Sequence, residues 1–240
     1  MKNILTKIYI HPFTYIVLLI SLVTGLFKEL ITFLFIIIIH EIGHISASIL
    51  FKWKIDKVSI MPFGCITIFS ELINKPLIEE FIILISGPLF QFINYLIFKD
   101  ITPYFNYYNY GLFIFNILPI YPLDGYKLYS IILNKIIPFK YTLKIMLIVS
   151  MLSLILFIRK DLIYIVILLL LLNGIIKEIK NINYIYNKFL YERYRYNLYF
   201  KKRKIIRNIN NMYKDKIHIF KTNDRYISER EILEKRFKYH

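Results

Sequence analysis

The stretch FLFIIIIHEIGHISASILF, Phe33–Phe51, sets two histidines and a glutamate inside an apolar run long enough to cross a bilayer. Imidazole and carboxylate are costly in hydrocarbon, and ionisable groups found there face a partner or a functional site. The residues HEIGH, His40–His44, fit the pattern H-E-x-x-H. On a helix, positions i and i+4 lie on one face, so His40 and His44 can address a single metal ion. Glu41, one residue along, is placed to reach a water beside the metal and to serve as general base. The bland alternative is a pair of satisfied histidines on a soluble helix. It loses force here, because three unpaired polar groups in such a run would each cost several kcal/mol.

The rest of the chain supports a membrane setting. Of 240 residues 57% are hydrophobic, the mean hydropathy is +0.51, and the apolar residues come in long blocks. The formal net charge is +16, unevenly placed: residues 177–240 hold 18 Lys and Arg against seven Asp and Glu. A basic segment directly after a membrane span points to the cytoplasmic side and to anionic lipid headgroups. It carries no nucleic-acid recognition motif, so no direct nucleic-acid partner is expected. Cys65 is the single cysteine, which excludes a disulfide framework and a cysteine-based zinc cluster. The apolar segment after Pro12 has no small-x-small ending and does not read as a cleaved secretory signal.

A bilayer-crossing helix needs about 20 apolar residues. Six segments approach that length: Pro12–Phe27, Leu30–Phe51, Leu77–Phe98, Tyr110–Tyr129, Tyr141–Ile158 and Leu162–Ile176. The expected fold is therefore an all-α polytopic membrane protein of about six transmembrane helices, since only helices satisfy their own backbone in lipid and nothing alternates like barrel strands. Lysine and arginine cluster at the N-terminus, in Lys52–Lys75, in Lys127–Lys144 and after residue 176, which puts both termini in the cytoplasm. The expected organisation is a transmembrane domain over 1–176 and a basic cytoplasmic tail over 177–240. YISEREILEKRFKYH within that tail can form an amphipathic helix but is too small for an independent fold.

Two segments are not simple spans. VSIMPFGCITIF, Val58–Phe69, is short and partly alternating, and suits a membrane-associated hairpin. FNILPIYPLDGYKLY breaks the fourth span, because Pro119 and Pro122 interrupt any helix there. Irregular backbone at membrane depth is tolerated where protein or a water-filled cavity surrounds it. Catalytic zinc needs a third protein ligand and an open position, and it acidifies its bound water to a pKa of about 7. Asp124 in PLDG offers a carboxylate on a second element; the alternative is that it only caps the following helix.

HEIGH together with NILPIYPLDG resembles the site-2 protease family of intramembrane zinc metalloproteases, whose hallmarks are H-E-x-x-H and a later N-x-x-P-x-x-P-x-D-G. The resemblance spans about Leu30 to Leu128. It implies one zinc per chain held by His40, His44 and Asp124, with Glu41 activating water and Asn116 positioning the substrate strand or the oxyanion. ISGPLFQFIN, Ile85–Asn94, is similar to the family's small-Gly-Pro element, with Gly87 and Pro88 beside the site. MPFGC is similar to its membrane hairpin, with Cys65 in place of a second glycine.

The layout resembles the sporulation branch of the family, which implies a membrane-associated pro-sigma factor as substrate and membrane-bound inhibitory regulators. Where relatives follow Asp-Gly with Gly-Arg, this chain has Tyr126-Lys127. Its last 64 residues are short for a nucleotide-sensing CBS domain. The runner-up is the same chemistry on an anti-sigma factor or a remnant signal peptide. A non-catalytic transporter or binding protein is disfavoured, because the polar residues converge on one position and Glu41 is retained. Lys52, Lys54, Lys57 and Trp53 read as interfacial anchors, and His11, His218 and His240 as interfacial or surface residues.

Overall fold

The structure, a computed structural model, describes residues 8–61, 64–69, 73–99, 102–158, 161–196, 198–222 and 225–238. Pro62, inside the expected hairpin, the Arg159–Lys160 turn and His240 lie outside these residues. The chain forms two compact units, Met1–Glu71 with Glu79–Asn116, and Leu72–Ile78 with Ile117–His240.

The first unit begins with strand β1 (Ile8–Ile10) and helices α1 (Pro12–Thr24) and α2 (Phe27–Leu50). Strands β2 (Ile55–Met61) and β3 (Gly64–Phe69) follow, then α3 (Leu77–Phe98) and α4 (Pro103–Ile117). The hairpin read from Val58–Phe69 is present: β2 and β3 pair antiparallel, with Val58 opposite Thr67 and Ile60 opposite Cys65. β1 adds to β2 in parallel, giving a three-stranded sheet in the order β1-β2-β3. The start of α1 is tied to this sheet, as His11 N and Thr14 Oγ1 both donate to the Ile60 carbonyl at 2.9 and 3.1 Å.

α2 and α3 approach closely because small residues line their contact. A Cβ on Gly43 would stand 2.4 Å from the Ser86 carbonyl oxygen, and Ser86 Oγ donates to the Gly43 carbonyl at 2.8 Å. α4 completes this unit, burying Phe105 and Leu112 with Ile36 and Ile37 of α2. Away from these contacts the helices present apolar side chains outward, among them Ile38, Ile42 and Ile49 of α2 and Leu89, Phe92 and Leu96 of α3. Such faces suit lipid rather than water.

The second unit holds α5 (Asp124–Ile136), α6 (Phe139–Ser153), which tightens into a 3-10 turn over Leu154–Phe157, and α7 (Leu162–Arg195). Strands β4 (Lys202–Ile206), β5 (Lys216–Lys221) and β6 (Tyr226–Ser228) and helix α8 (Glu229–Lys238) follow. β4 and β5 pair in parallel, β5 and β6 antiparallel. α7 continues without interruption from its apolar half past residue 176. Its polar half stays helical because Tyr186, Phe189, Leu190 and Arg193, three to four residues apart, bury one stripe. That stripe joins Phe139, Ile206, Met212, Phe220, Ile227 and Leu233 in one core. The basic segment is therefore folded onto α6 and α7, and Phe139 N donates to the Met212 carbonyl at 2.9 Å.

One expectation is corrected and a second is met in part. The fold is predominantly helical but not all-α, because β-branched residues in 55–69 and 202–228 pair into two small sheets. Among the described residues three helices, Phe27–Leu50, Leu77–Phe98 and Phe139–Phe157, are long and apolar enough to cross a membrane, so the expected count of about six is not confirmed. The first expected span is a helix of 13 residues, and the fourth is divided between α4 and α5. At about 1.5 Å per residue, neither α1 nor α4 reaches the bilayer's apolar thickness of about 30 Å.

Candidate metal centre

The residues of HEIGH lie in α2, and His40, Glu41 and His44 are all buried. The partners of each imidazole define its tautomer. His44 Nδ1 lies 2.7 Å from the Ile83 carbonyl, which can only accept, so His44 carries its proton on Nδ1. His40 Nδ1 lies 2.9 Å from Gln91 Oε1. The Gln91 amide is oriented by its other end, since Nε2 donates to the Asn109 carbonyl at 2.8 Å and to Asn109 Oδ1 at 2.7 Å. Gln91 thus offers an acceptor to His40, and His40 also carries its proton on Nδ1.

Both Nε2 atoms then bear lone pairs, and they stand 3.1 Å apart. At about 2.0–2.1 Å from each nitrogen, a tetrahedral zinc ion holds two imidazoles roughly 3.3 Å apart. The donor set therefore fits zinc. Gly87 leaves room for it: a Cβ there would meet His44 Nε2 at 2.3 Å and His40 Nε2 at 2.9 Å. α3 contributes its face in steps of four residues, through the Ile83 carbonyl, the bare Gly87 and the Gln91 amide.

Glu41 is held from the hairpin, where the Thr67 hydroxyl of β3 donates to Glu41 Oε1. Asn116 sits half-buried in the last turn of α4. In the second unit Asp124 is the first residue of α5, after a break over residues 118–123 that includes a cis Tyr121–Pro122 peptide. The helix cap is Leu123, with no side-chain cap bond, so Asp124 is not placed in the capping position. Ser150 Oγ of α6 braces the break, accepting from Tyr121 N at 3.1 Å and donating to the Pro119 carbonyl at 2.9 Å. Gly125 is required by close approach, as a Cβ would fall 2.2 Å from the Ile117 carbonyl oxygen. Lys127 Nζ lies 3.3 Å from Asp124 Oδ1, so the departure at Tyr126-Lys127 keeps a cation one turn from the carboxylate.

Three residues were missed or misread at the sequence level. Gln91 and Asn109, both buried, were not singled out as site residues in the sequence. His218 is fully buried rather than on the surface. Its Nδ1 and backbone N lie 2.8 Å from Glu229 Oε2, and its Nε2 accepts from Tyr213 N at 2.9 Å. Burial is the main cause that holds its pKa below the ordinary histidine value, against the pull of Glu229. Trp53, read as an anchor, donates from its indole to Glu79 Oε2 at 2.9 Å.

Comparison with known proteins shows what the chain is similar to. Residues 28–104 match Peptidase family M50, a range that includes His40, Glu41, His44, Gln91 and Thr67 and ends before Asp124. Over 148 residues the chain is 37% identical to stage IV sporulation protein FB of Bacillus subtilis, covering 58% of this chain and 51% of that protein. It is 28% identical over 112 residues to a zinc metalloprotease of Methanocaldococcus jannaschii, covering 41% and 32%. The chain thus spans about half and about a third of these two relatives' lengths. The solved site-2 protease from Methanocaldococcus jannaschii shares its fold, with a TM-score of 0.56 and 22% identity over 71% of this chain and 89% of that one. Over residues 28–104, which contain the H-E-x-x-H motif, the chain is thus similar to peptidase family M50.

Proposed function

We propose that this chain is an intramembrane zinc endopeptidase that cuts a membrane-associated protein in or near the bilayer. One zinc per chain is held by His40, His44 and Asp124. The observation that carries this reading is the pair of buried imidazoles with both Nε2 lone pairs converging at 3.1 Å, beside a buried glutamate. For Asp124 the support is the PLDG motif and its place at the head of α5 after the braced break.

Zinc at this position supplies a Lewis acid for the scissile carbonyl and lowers the pKa of water. Glu41 takes the proton of the attacking water and passes it to the leaving amine. The Thr67 hydroxyl orients that carboxylate through Oε1, leaving the proton transfer to the other oxygen. Asn116 steadies the substrate strand or the oxyanion, a role supported by its place in N-x-x-P-x-x-P-x-D-G. The likeness to a stage IV sporulation protein supports a pro-sigma factor as substrate and membrane-bound proteins as regulators. The lysine and arginine distribution supports a cytoplasmic-membrane location with both termini inside, residues 1–176 forming the protease and 177–240 a basic cytoplasmic segment.

Co-expression with a membrane-tethered pro-sigma factor tests the reading, with release of the soluble fragment followed for native protein and Glu41→Gln. The variant is expected to lose about 10²–10⁴-fold in cleavage while retaining zinc. Equal cleavage by both overturns Glu41 as the base.

A further inference from the structure

We propose that Gln91 and Asn109 are positioning residues for the metal: Asn109 fixes the Gln91 amide, and Gln91 fixes the tautomer and ring plane of His40. The inference rests on the zinc reading above. It is carried by a three-residue chain spanning three helices. Asn109 of α4 offers two acceptors, its backbone carbonyl and Oδ1, to the two hydrogens of Gln91 Nε2 at 2.8 and 2.7 Å. Both hydrogens being committed, the amide cannot turn over without setting Oε1 against the fixed Asn109 backbone carbonyl. Oε1 is left facing His40 Nδ1 at 2.9 Å. A neutral imidazole with Nδ1–H held in this way has its lone pair on Nε2, the nitrogen that faces His44.

The chain is sealed from solvent. Gln91 is 1% exposed, Asn109 5% and His40 5%. Burying an amide among apolar helices is costly unless it is bonded. Gln91 commits its hydrogens to Asn109 and its oxygen to His40, while Asn109 Nδ2 has no hydrogen-bond partner among the described residues. A Leu at 91 would fill similar space at lower desolvation cost, so stability alone gives no reason for an amide. Groups that hold the outer nitrogen of a ligand histidine set its orientation and basicity, and their loss costs about 10–100-fold in metal affinity. His44 receives the same service from the Ile83 carbonyl, which side-chain substitution leaves in place. His40 is therefore the ligand whose orientation is open to mutation.

The test uses full-length purified protein in detergent, titrated with zinc against a chelator of known affinity. The variants are Gln91→Leu, Gln91→Glu and His40→Ala, and the melting temperature of each metal-free form is recorded. Gln91→Leu is expected to bind zinc about 10–100-fold more weakly, with a metal-free melting temperature at or above the native one. Gln91→Glu restores an acceptor for His40 Nδ1, and Asn109 can turn its amide to donate to the new carboxylate. Its zinc affinity is expected within a few-fold of native or tighter. Native affinity in Gln91→Leu overturns the proposal, as does equal loss in Gln91→Leu and Gln91→Glu. If native protein binds no stoichiometric zinc, or His40→Ala binds it as native does, the zinc reading itself fails and takes this proposal with it.

Discussion

Two buried histidine clusters in this molecule use the same elements to opposite ends. Around His218, each nitrogen meets a complementary group: Nδ1 gives its proton to Glu229 and Nε2 accepts the Tyr213 N–H. Glu229 also takes the Arg193 guanidinium at 2.9 Å, and Arg193 bonds the Tyr213, Lys214 and Lys216 carbonyls and Asn74 Oδ1. Donors match acceptors, which describes a structural clamp. Around His40 and His44 the outer nitrogens are equally well held, while the inner ones converge to 3.1 Å of each other. Convergence of two held imidazoles on one point, more than burial or histidine content, separates the candidate site from the clamp.

That contrast breaks most visibly at Gly87. Gly87→Ala places a methyl group against both Nε2 atoms, and zinc affinity should drop by more than about 100-fold, beyond the usual cost of an outer-sphere change. Chelator competition measures it, and unchanged affinity would mean that the cradle does not face the ion. The clamp should respond in the other currency. Arg193→Met leaves the Glu229 carboxylate buried without its guanidinium, and the second unit should lose about 3–5 kcal/mol, read by urea unfolding of the detergent-solubilised protein, while zinc stays bound.

The smallest effect is in pH. Burial depresses the His218 pKa, so the folded state binds its proton less readily than the unfolded state. Stability contributed by neutral His218 is complete above the unfolded value of about 6.5 and declines as pH falls below it, with a slope of at most about 1.4 kcal/mol per pH unit. Glu229 is also depressed, its own burial being outweighed by His218 and Arg193. Its contribution is present above about pH 4.5 and fades at still lower pH. Melting temperatures from pH 7.5 to 5.5 should therefore fall in native protein and flatten in His218→Gln.

How far the residues alone carried the reading follows from the range of the interactions involved. H-E-x-x-H, the proline break and the hairpin are local patterns, and each appears where its own residues imply. Gln91 was within reach, because Ile83, Gly87 and Gln91 repeat every four residues along one face of α3. Its partner Asn109 was not, since nothing local pairs residues on separate helices. The C-terminal fold was hidden by composition. Arg193 and Lys214 look like two more cations in a basic stretch, but both are buried, and the contacts that bury Arg193 come from residues 20 to 36 positions away and from Asn74. Hydropathy likewise marks apolar runs but does not mark where α7 continues as a half-polar helix.

X-ray absorption at the zinc edge of the purified native protein tests the central claim most directly. The account predicts an ion about 2.0–2.1 Å from two imidazole nitrogens, with oxygen completing the shell, and loss of one imidazole contribution in His44→Ala. A shell without imidazole, or one unchanged in His44→Ala, contradicts it.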